Sequence, residues 1–261
     1  MSNNGFKGSA APLSQTAFDG VVDRLGGSSA ALWALLTVET SGFGFLADRR
    51  PKILFERHVF HKRTKGRFDA TAPDLSSPSR GGYLGGAKEY SRLERAILLD
   101  RAAALESASW GLAQVMGFNA SSLDYMGAED MVATFLDGED AHLDAAARFI
   151  LENGALAAAF AKADWRKVAF YYNGSAYAEH GYHVKLQQFH DLFVAKGTPD
   201  VEVRAAQARL VYLNYDPRGV DGVVGNGTRS AALAFQKAKG LDATGELDAA
   251  TLEALKVAAK V

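Results

Sequence analysis

Residues 28–42 read SSAALWALLTVETSG, and this stretch decides the fold of the first part of the chain. The two serines at its start are good helix N-caps. Apolar residues then occur on every side of the predicted helix, which is typical of a helix buried in the middle of a domain. One acid, Glu39, ends the apolar run before Thr40, Ser41 and Gly42. We therefore predict a central helix with a single carboxyl group at its C-terminal end.

The segments on either side of this helix are predicted to form mostly further helices. The spacing of apolar residues predicts them over 14–25, 87–105, 129–136, 140–151, 165–172 and 177–195. Residues 52–60 are predicted to form a short strand or an irregular segment, and residues 62–86 a long loop. The first dozen residues are polar, and we expect them to be loose. The predicted fold class is mainly α with a small β element.

A short joint, Lys196-Gly197-Thr198-Pro199-Asp200, separates this part from the rest of the chain. Beyond it, helical patterns cover 203–212, 226–239 and 248–261. We therefore predict two domains, 1–196 and 197–261. The second domain carries eight Lys or Arg and eight Asp or Glu, against 21 and 22 in the first. Neither domain has the basic surplus of a nucleic-acid-binding protein, so no nucleic-acid partner is expected.

Composition narrows the function classes further. Of the 261 residues 48% are hydrophobic and 23% are charged, the net charge is -1, and there is no cysteine. Disulfides, thiolate zinc sites and cysteine nucleophiles are thereby excluded. The first residues lack the apolar core of a secretory signal, and the longest apolar stretch, 30–38, is far shorter than the roughly 20 residues of a membrane span. We expect a monomer with no signal peptide, no transmembrane segment and no stable membrane insertion.

The C-terminal domain carries the most specific motifs. Val-Asp-Gly-Val-Val-Gly spans 220–225, Ala-Phe-Gln spans 234–236, and Gly-Leu-Asp-Ala-Thr-Gly spans 240–245. After the first motif, either Asn226 or Thr228 can cap the next helix. The motifs and their order resemble the three-helix peptidoglycan-binding module found on many wall hydrolases. The resemblance implies a three-helix bundle that binds bacterial peptidoglycan.

Four residues of this module are the candidates for its function. Gly222 and Gly225 permit tight turns at places where a side chain would clash, and Asp221 lies in such a turn. Phe235 supplies part of a small apolar core. For Asp221, Gly222 and Phe235 a structural role fits better than direct contact with the ligand.

Glu39 is the main candidate for catalysis. Cleavage of a glycosidic bond requires a carboxylic acid that protonates the leaving oxygen. At the end of an apolar helix, partial burial and the negative end of the helix dipole both raise the pKa of a carboxyl group. A raised pKa is what a general acid near neutral pH requires. An ordinary exposed glutamate at a frayed helix end is the alternative.

Three motifs favour the catalytic interpretation. They are Val-Glu-Thr-Ser-Gly at 38–42, Ser-Trp-Gly-Leu-Ala-Gln-Val-Met at 109–116, and Ala-Phe-Tyr-Tyr-Asn-Gly at 169–174. In order and rough spacing they resemble the goose-type lysozymes and lytic transglycosylases, which implies a lysozyme-like catalytic domain. The site residues that the resemblance implies are Glu39 as the acid, Ser109 and Gln114 lining the sugar cleft, and Tyr172 and Asn173 at its floor.

A closer resemblance is to the N-acetylmuramidase endolysins of phages that infect Gram-negative bacteria. These combine Val-Glu-x-x-Gly with a Leu-Phe-Glu-Arg-His segment, here residues 54–58. Glu56 is the only acid in the basic stretch 49–67, and we predict that it is the second carboxylate. A salt-bridged glutamate on a solvated face is the alternative, and Asp69 and Glu106 are weaker candidates. Carboxyl groups roughly 6.5–9.5 Å apart imply inversion at the sugar, and about 5 Å implies retention.

Zinc peptidases and amidases are the competing enzyme classes for a wall-active protein. The six histidines form no His-Glu-x-x-His motif. The pairs His58/His61 and His180/His183 would each require a third ligand from elsewhere in the chain. We therefore expect no metal and no cofactor.

Three functions stay open at this point. The first is hydrolysis of the β-1,4 bond between N-acetylmuramic acid and N-acetylglucosamine in bacterial peptidoglycan, with lysis of the host cell. The second is a lytic transglycosylase that forms 1,6-anhydro products, and the third is a non-catalytic wall-binding protein. An endolysin would wait in the host cytoplasm and then act on the periplasmic wall, whereas a secreted or injected toxin is the alternative.

Overall fold

The computed structural model describes residues 5–178 and 181–261, and helices dominate both ranges. Up to residue 196 the α-helices are α1 (Gln15–Leu25), α2 (Ser29–Thr40), α3 (Arg57–Thr64), α4 (Glu89–Leu99), α5 (Arg101–Glu106), α6 (Ala128–Phe135), α7 (Glu139–Glu152), α8 (Gly154–Ala161), α9 (Trp165–Asn173) and α10 (Tyr182–Lys196). The strands are β1 (Ile53–Phe55), β2 (Ala108–Trp110) and β3 (Val115–Met116). After residue 196 come α11 (Val201–Tyr212), α12 (Asn226–Lys239) and α13 (Ala249–Ala259). The predicted fold class, mainly α with a small β element, is confirmed.

Helix α2 lies at the centre of the N-terminal part, as its sequence predicts. The hydroxyl oxygen of Ser28 accepts a hydrogen bond from the Ala31 amide at 3.1 Å and caps the helix. The helix ends at Ser41, which takes the left-handed conformation. The side chains from Ala30 to Leu36 are all buried, and α10 is the main packing partner of α2. Glu39 therefore lies near the end of a helix whose preceding residues are buried in the core.

The sheet places two side chains on the open side of the N-terminal part. Antiparallel pairing sets Ile53 opposite Trp110 and Phe55 opposite Ala108. Ile53 and Phe55 are buried, whereas Leu54 and Glu56 are only partly buried. Because successive side chains of a strand point to opposite faces, Leu54 and Glu56 lie on the face away from the core.

Several predicted elements differ from the observed ones. The helix predicted over 87–105 breaks at Asp100, whose extended backbone ends α4 and whose carboxylate caps α5 by accepting from the Ala103 amide at 3.1 Å. Residues 52–60 hold a three-residue strand and then the start of α3. Helix α8 was not predicted, because its sequence GALAAAFA is apolar all round and shows no helical period.

The first dozen residues were predicted to be loose, and for those that the structure describes this is wrong. Ala10 is fully buried and its amide donates to the carbonyl of Leu136 at 3.0 Å. Ala11 forms a parallel bridge with Gly138. Small side chains allow this close approach, which polarity alone does not reveal.

In the C-terminal part, buried glutamines tie the turns to the helices. The Gln207 side-chain carbonyl accepts from the amides of Asp221 and Gly222 at 2.9 and 2.8 Å, and its amide donates to Thr228 Oγ1 at 3.0 Å. Gln236 repeats this arrangement one helix later, with the Gly245 amide and Thr251. The turns are thus fixed by side chains that the helices present.

Three of the four candidate residues of this module have clear structural roles. Gly222 has a φ of +77°, and a Cβ there would lie 2.7 Å from the Asp200 carbonyl oxygen, so only glycine fits. Phe235 is fully buried in the small core, and Asp221 accepts from Gln207 and from the Val223 amide.

Two predictions about the following helix are wrong. Gly225 is itself the N-cap of α12, in an extended conformation with open space around its Cβ direction, so no clash requires glycine there. No side chain caps this helix: Asn226 is its first residue, and buried Thr228 is bound to Gln207.

The N-terminal and C-terminal parts share an apolar cluster. It joins Ala10, Phe43 and Phe45 to Ala208 and Val220. The module is therefore packed against the rest of the chain through buried side chains. Separately, none of the helices in the described ranges has the length and apolar character required to cross a bilayer.

Candidate active site

Glu39 lies in the last turn of α2, partly buried, with one strong partner. The Tyr182 hydroxyl at the start of α10 donates a hydrogen bond to its Oε1. Burial raises the pKa of Glu39 to about 7, although the bond from Tyr182 favours the charged form and acts in the opposite direction. Near neutral pH this carboxyl group is therefore protonated in a large fraction of molecules.

The turn after Glu39 is held by contacts from two other elements. The Thr40 hydroxyl donates to the carbonyl of Leu112 at 2.8 Å. The Lys52 ammonium donates to the carbonyl of Thr40 at 2.9 Å. Since the carbonyls at a helix C-terminus carry partial negative charge, a cation stabilises this end of α2. These bonds fix the position from which the Glu39 side chain projects.

The loop over 109–116 forms the next wall of the site. The Ser109 hydroxyl donates to the side-chain oxygen of Gln114 at 2.8 Å, and the Gln114 amide donates to the Gly111 carbonyl at 2.9 Å. Gln114 and Glu39 line the same cavity of about 290 Å³. Gln114 thus lies beside the predicted acid and holds the loop with its amide, whereas Ser109 contacts Gln114 and does not line this cavity.

Shared lining residues relate the Glu39 cavity to two further cavities. Gln114 also lines a second cavity of about 160 Å³, which shares Met116, Phe118 and Tyr172 with a third of about 590 Å³. The Tyr172 hydroxyl donates to the Ala113 carbonyl at 2.9 Å, and Asn173, the last residue of α9, lines the largest cavity. Gln114, Tyr172 and Asn173 therefore line this series of cavities, whereas Ser109 is bonded to Gln114 and lines none of the three.

Glu56 lies directly after β1 and faces the largest of these cavities. Its Oε2 accepts a hydrogen bond from the Tyr83 hydroxyl at 2.8 Å and is 3.0 Å from Nδ1 of His58. Burial holds the pKa of His58 below its usual value despite the neighbouring carboxylate. Glu56 is therefore fixed in the groove by a phenol and an imidazole, and Leu54, two positions earlier on the same face of the strand, lines the Glu39 cavity.

Comparison with known proteins agrees with this geometry. Residues 28–194 match the family model described as N-acetylmuramidase, and residues 199–255 match a putative peptidoglycan binding domain. The chain belongs to the N-acetylmuramidase family. It is similar to the crystal structure of Burkholderia AP3 phage endolysin, with 39% identity and a TM-score of 0.64 over 70% of this chain and 71% of that one. None of the curated proteins compared with the chain matches it.

This N-acetylmuramidase is accordingly a glycoside hydrolase that degrades bacterial peptidoglycan and carries a peptidoglycan-binding domain. The weaker acid candidates have other partners: Asp69 accepts from Ser76 at 2.5 Å and lies 2.8 Å from His61, and Glu106 pairs with Arg63 at 3.2 Å. No group of three or more potential metal ligands occurs within 5–178 and 181–261, and His180 lies outside the described residues.

Two residues in or next to the candidate site were missed by the sequence analysis. Tyr182 lies 143 positions from Glu39, inside a segment predicted only as helix. His142 is buried under the 109–116 loop, where its Nδ1 accepts from the Leu112 amide at 3.1 Å and its Nε2 donates to the Phe135 carbonyl at 2.8 Å. A Cβ at Gly111 would lie 2.5 Å from the His142 ring, so the glycine of this motif is required by a histidine 31 positions away.

Proposed function

We propose that this enzyme hydrolyses the β-1,4 bond between N-acetylmuramic acid and N-acetylglucosamine, with Glu39 as the general acid. The observation that supports the proposal most is a carboxyl group that lines a cavity of about 290 Å³ and whose pKa is raised by burial to about 7. A carboxyl group with such a pKa holds its proton near neutral pH and can release it to the leaving oxygen. Tyr182 can then stabilise the carboxylate that remains.

Glu56 is proposed as the second carboxylate. It lines the 590 Å³ cavity, which has no lining residue in common with the 290 Å³ cavity lined by Glu39. Because the two carboxyl groups line different cavities, we propose that Glu56 activates a water molecule, as in inverting hydrolases, and does not attack the sugar directly. In the proposed reaction Glu56 takes a proton from the water as it attacks the sugar carbon, and Glu39 protonates the departing oxygen.

The protein side chains that we propose to contact the substrate are those that line these cavities or hold their lining in place. Gln114 lines the cavity beside Glu39 and accepts a hydrogen bond from Ser109, and Tyr172 and Asn173 line the wider cavity of about 590 Å³. The wider cavity is also lined by Lys62 and Arg80, neither of which forms an ion pair within the described residues. Peptidoglycan carries carboxylates on its peptide stems, so free cations beside the sugar groove favour it over a neutral glycan.

We further propose a division of labour between residues 1–196, which cut the glycan, and residues 197–261, which bind the wall. The chain would act as a monomeric endolysin that accumulates in the host cytoplasm and lyses the cell when it reaches the periplasmic wall. Likeness to a phage endolysin supports this role. Nucleic acid and membrane lipid are not proposed as partners.

The test is mass spectrometry of purified peptidoglycan digested by the enzyme and by Glu39→Gln. The expected products have N-acetylmuramic acid at a reducing end that borohydride can reduce. Anhydro ends, which lack one water and resist reduction, would instead indicate a transglycosylase, and N-acetylglucosamine ends a different bond. Glu39→Gln should release no product and still sediment with wall; equal digestion by both proteins would overturn the role of Glu39.

A further inference from the structure

A buried ion pair joins the wall-binding module to the cutting part. Arg204 lies on α11, within the residues that match the peptidoglycan-binding family, and Glu139 is the first residue of α7. Both side chains are fully buried. The guanidinium donates to both carboxylate oxygens, from Nη1 to Oε2 at 2.7 Å and from Nη2 to Oε1 at 2.6 Å. This bidentate geometry fixes the orientation of both groups.

The third donor of the Arg204 guanidinium goes to the catalytic turn. Its Nε donates to the carbonyl of Gly42, three residues after Glu39. Glu139 in turn accepts from the amide of Gly44 at 2.7 Å. Burial alone would raise the pKa of Glu139, but the Arg204 guanidinium keeps it below its usual value, so the carboxylate is charged. One arginine and one carboxylate therefore hold the backbone on both sides of Phe43.

The turn held in this way is continuous with the end of α2. The Gly42 amide donates to the Leu36 carbonyl at 3.2 Å, and the Ser41 amide donates to the Thr37 carbonyl at 3.0 Å. These bonds close the last turn of the helix around Glu39. If the Gly42 carbonyl were displaced, Glu39 would therefore be displaced with it.

The surrounding contacts show that Arg204 reaches the turn from a packed interface. The Tyr212 hydroxyl donates to the Ala10 carbonyl at 2.9 Å, and the Arg49 guanidinium donates to the Ala259 carbonyl at 2.7 Å. The Phe43 ring lies 5.7 Å from the Arg204 guanidinium. An ion pair that only joined two domains would not need the bond to the Gly42 carbonyl.

We propose that Arg204 is a positioning residue for Glu39, so that the wall-binding module completes the active site of the muramidase. This inference rests on the proposed role of Glu39 as the acid. It means that the module contributes to the cutting step itself and not only to attachment. Cleavage of soluble glycan, which requires no attachment to insoluble wall, should therefore depend on Arg204.

The test compares full-length variants on soluble, uncrosslinked glycan strands. Arg204→Met removes all three hydrogen bonds. Arg204→Lys keeps the buried positive charge that Glu139 requires. A single ammonium group, however, cannot bind both Glu139 oxygens and the Gly42 carbonyl at the same time. The control is Leu255→Ala, which weakens the module's own core and removes none of the Arg204 hydrogen bonds. Circular dichroism and thermal melting establish the temperature at which each variant is folded.

We expect the folded Arg204→Lys to lose about tenfold in kcat with little change in KM, because a misplaced acid affects the transition state more than substrate binding. The alkaline limb of its pH profile should also move. Leu255→Ala should keep the wild-type kcat and the wild-type position of this limb. If Arg204→Met does not fold, the lysine variant decides. The inference would be overturned if the folded Arg204 variants kept the wild-type kcat and pH profile. It would also be overturned if Leu255→Ala lost as much kcat at matched thermal stability. Cleavage of another bond by the wild type would overturn the proposed function alone, since kcat for that bond still reports on Arg204.

Discussion

Tyr182 donates its phenolic hydrogen to Oε1 of Glu39 and so links the start of α10 to the end of α2. The bond favours the charged carboxylate and opposes the effect of burial, which raises the pKa of Glu39 to about 7. Tyr182 therefore lowers the pH at which the proposed acid loses its proton, although burial has the larger effect.

Replacing Tyr182 by Phe removes this bond and should raise the pKa of Glu39 further. The alkaline limb of the kcat profile is then expected to move to higher pH, because the acid keeps its proton longer. The measurement is kcat on soluble glycan across the neutral and alkaline range. Tyr125→Phe, at a partly buried phenol beside Phe135, is the matched control and should leave the limb in place. A limb that moves downward in Tyr182→Phe would contradict the prediction.

Glu39→Gln should make the protein more stable at alkaline pH. The pKa of Glu39 is raised in the folded state, from 4.5 to about 7. Its contribution to stability is thus complete below the unfolded pKa and is lost as pH rises through the folded one. At about pH 8 this loss amounts to about 3 kcal/mol, which the uncharged Gln avoids.

Urea unfolding of the wild type and Glu39→Gln at several pH values tests this prediction. The two free energies of unfolding should converge near pH 4.5, the ordinary value for this group, and separate above it. A difference that does not change with pH would show that Glu39 is not buried as a neutral acid.

Glu56→Gln should abolish most hydrolysis if Glu56 activates the water. General-base catalysis contributes roughly 10²–10⁴-fold, so a loss in kcat of about that size is expected. Tyr83→Phe, which removes only the hydrogen bond to Glu56, should cost far less. Product formation measured by mass spectrometry distinguishes the outcomes, because a transglycosylase would survive the loss of Glu56 and yield anhydro ends.

Lys62→Met and Arg80→Met should weaken binding only when the glycan carries peptide stems. Both cations line the 590 Å³ cavity, and an exposed ion pair contributes up to about 1 kcal/mol, or about fivefold in KM. The comparison uses peptide-bearing strands and strands stripped by an amidase. Lys162→Met, at an exposed residue after α8, is the control. An equal effect on stripped strands would rule out recognition of the stems.

Gly222→Ala should destabilise the wall-binding module, whereas Gly225→Ala should not. At Gly222 the positive φ and the Asp200 carbonyl 2.7 Å away both oppose a Cβ, which predicts a loss of roughly 2–4 kcal/mol. At Gly225 the space is open, and a change below about 1 kcal/mol is expected. Thermal melting and sedimentation with purified wall measure the two effects.

The sequence identified residues whose chemistry is local. Glu39 ends an apolar helix, and Glu56 stands alone in a basic stretch, so both could be found from their neighbours in the chain. Tyr182 and Arg204 could not, because each acts on a group that is distant in sequence, and a tyrosine or arginine in a helix has no pattern that names its partner. Gly225 shows the converse: its motif suggested a steric requirement that the observed backbone does not have.

The fold class was predicted correctly, and the elements that were predicted wrongly share a related cause. Periodicity located the amphipathic helices, but it could not place α8, which is apolar all round, or the break at Asp100, which depends on one side-chain cap. Burial of Ala10 near the N-terminus depends on a bond to Leu136, more than a hundred positions away. Each of these features is decided by tertiary contacts that overrule local preference.

The buried pair of Arg204 and Glu139 also limits how this enzyme can be re-engineered. Exchange of the C-terminal segment for an unrelated targeting unit would remove the counter-ion of Glu139, and wherever the new unit keeps that carboxylate enclosed the loss is about 3–5 kcal/mol. A chimera designed by cutting at the joint would inherit that defect, whatever surface the new unit recognises. Grafts onto this scaffold should therefore carry an arginine at the equivalent place, or replace both partners together.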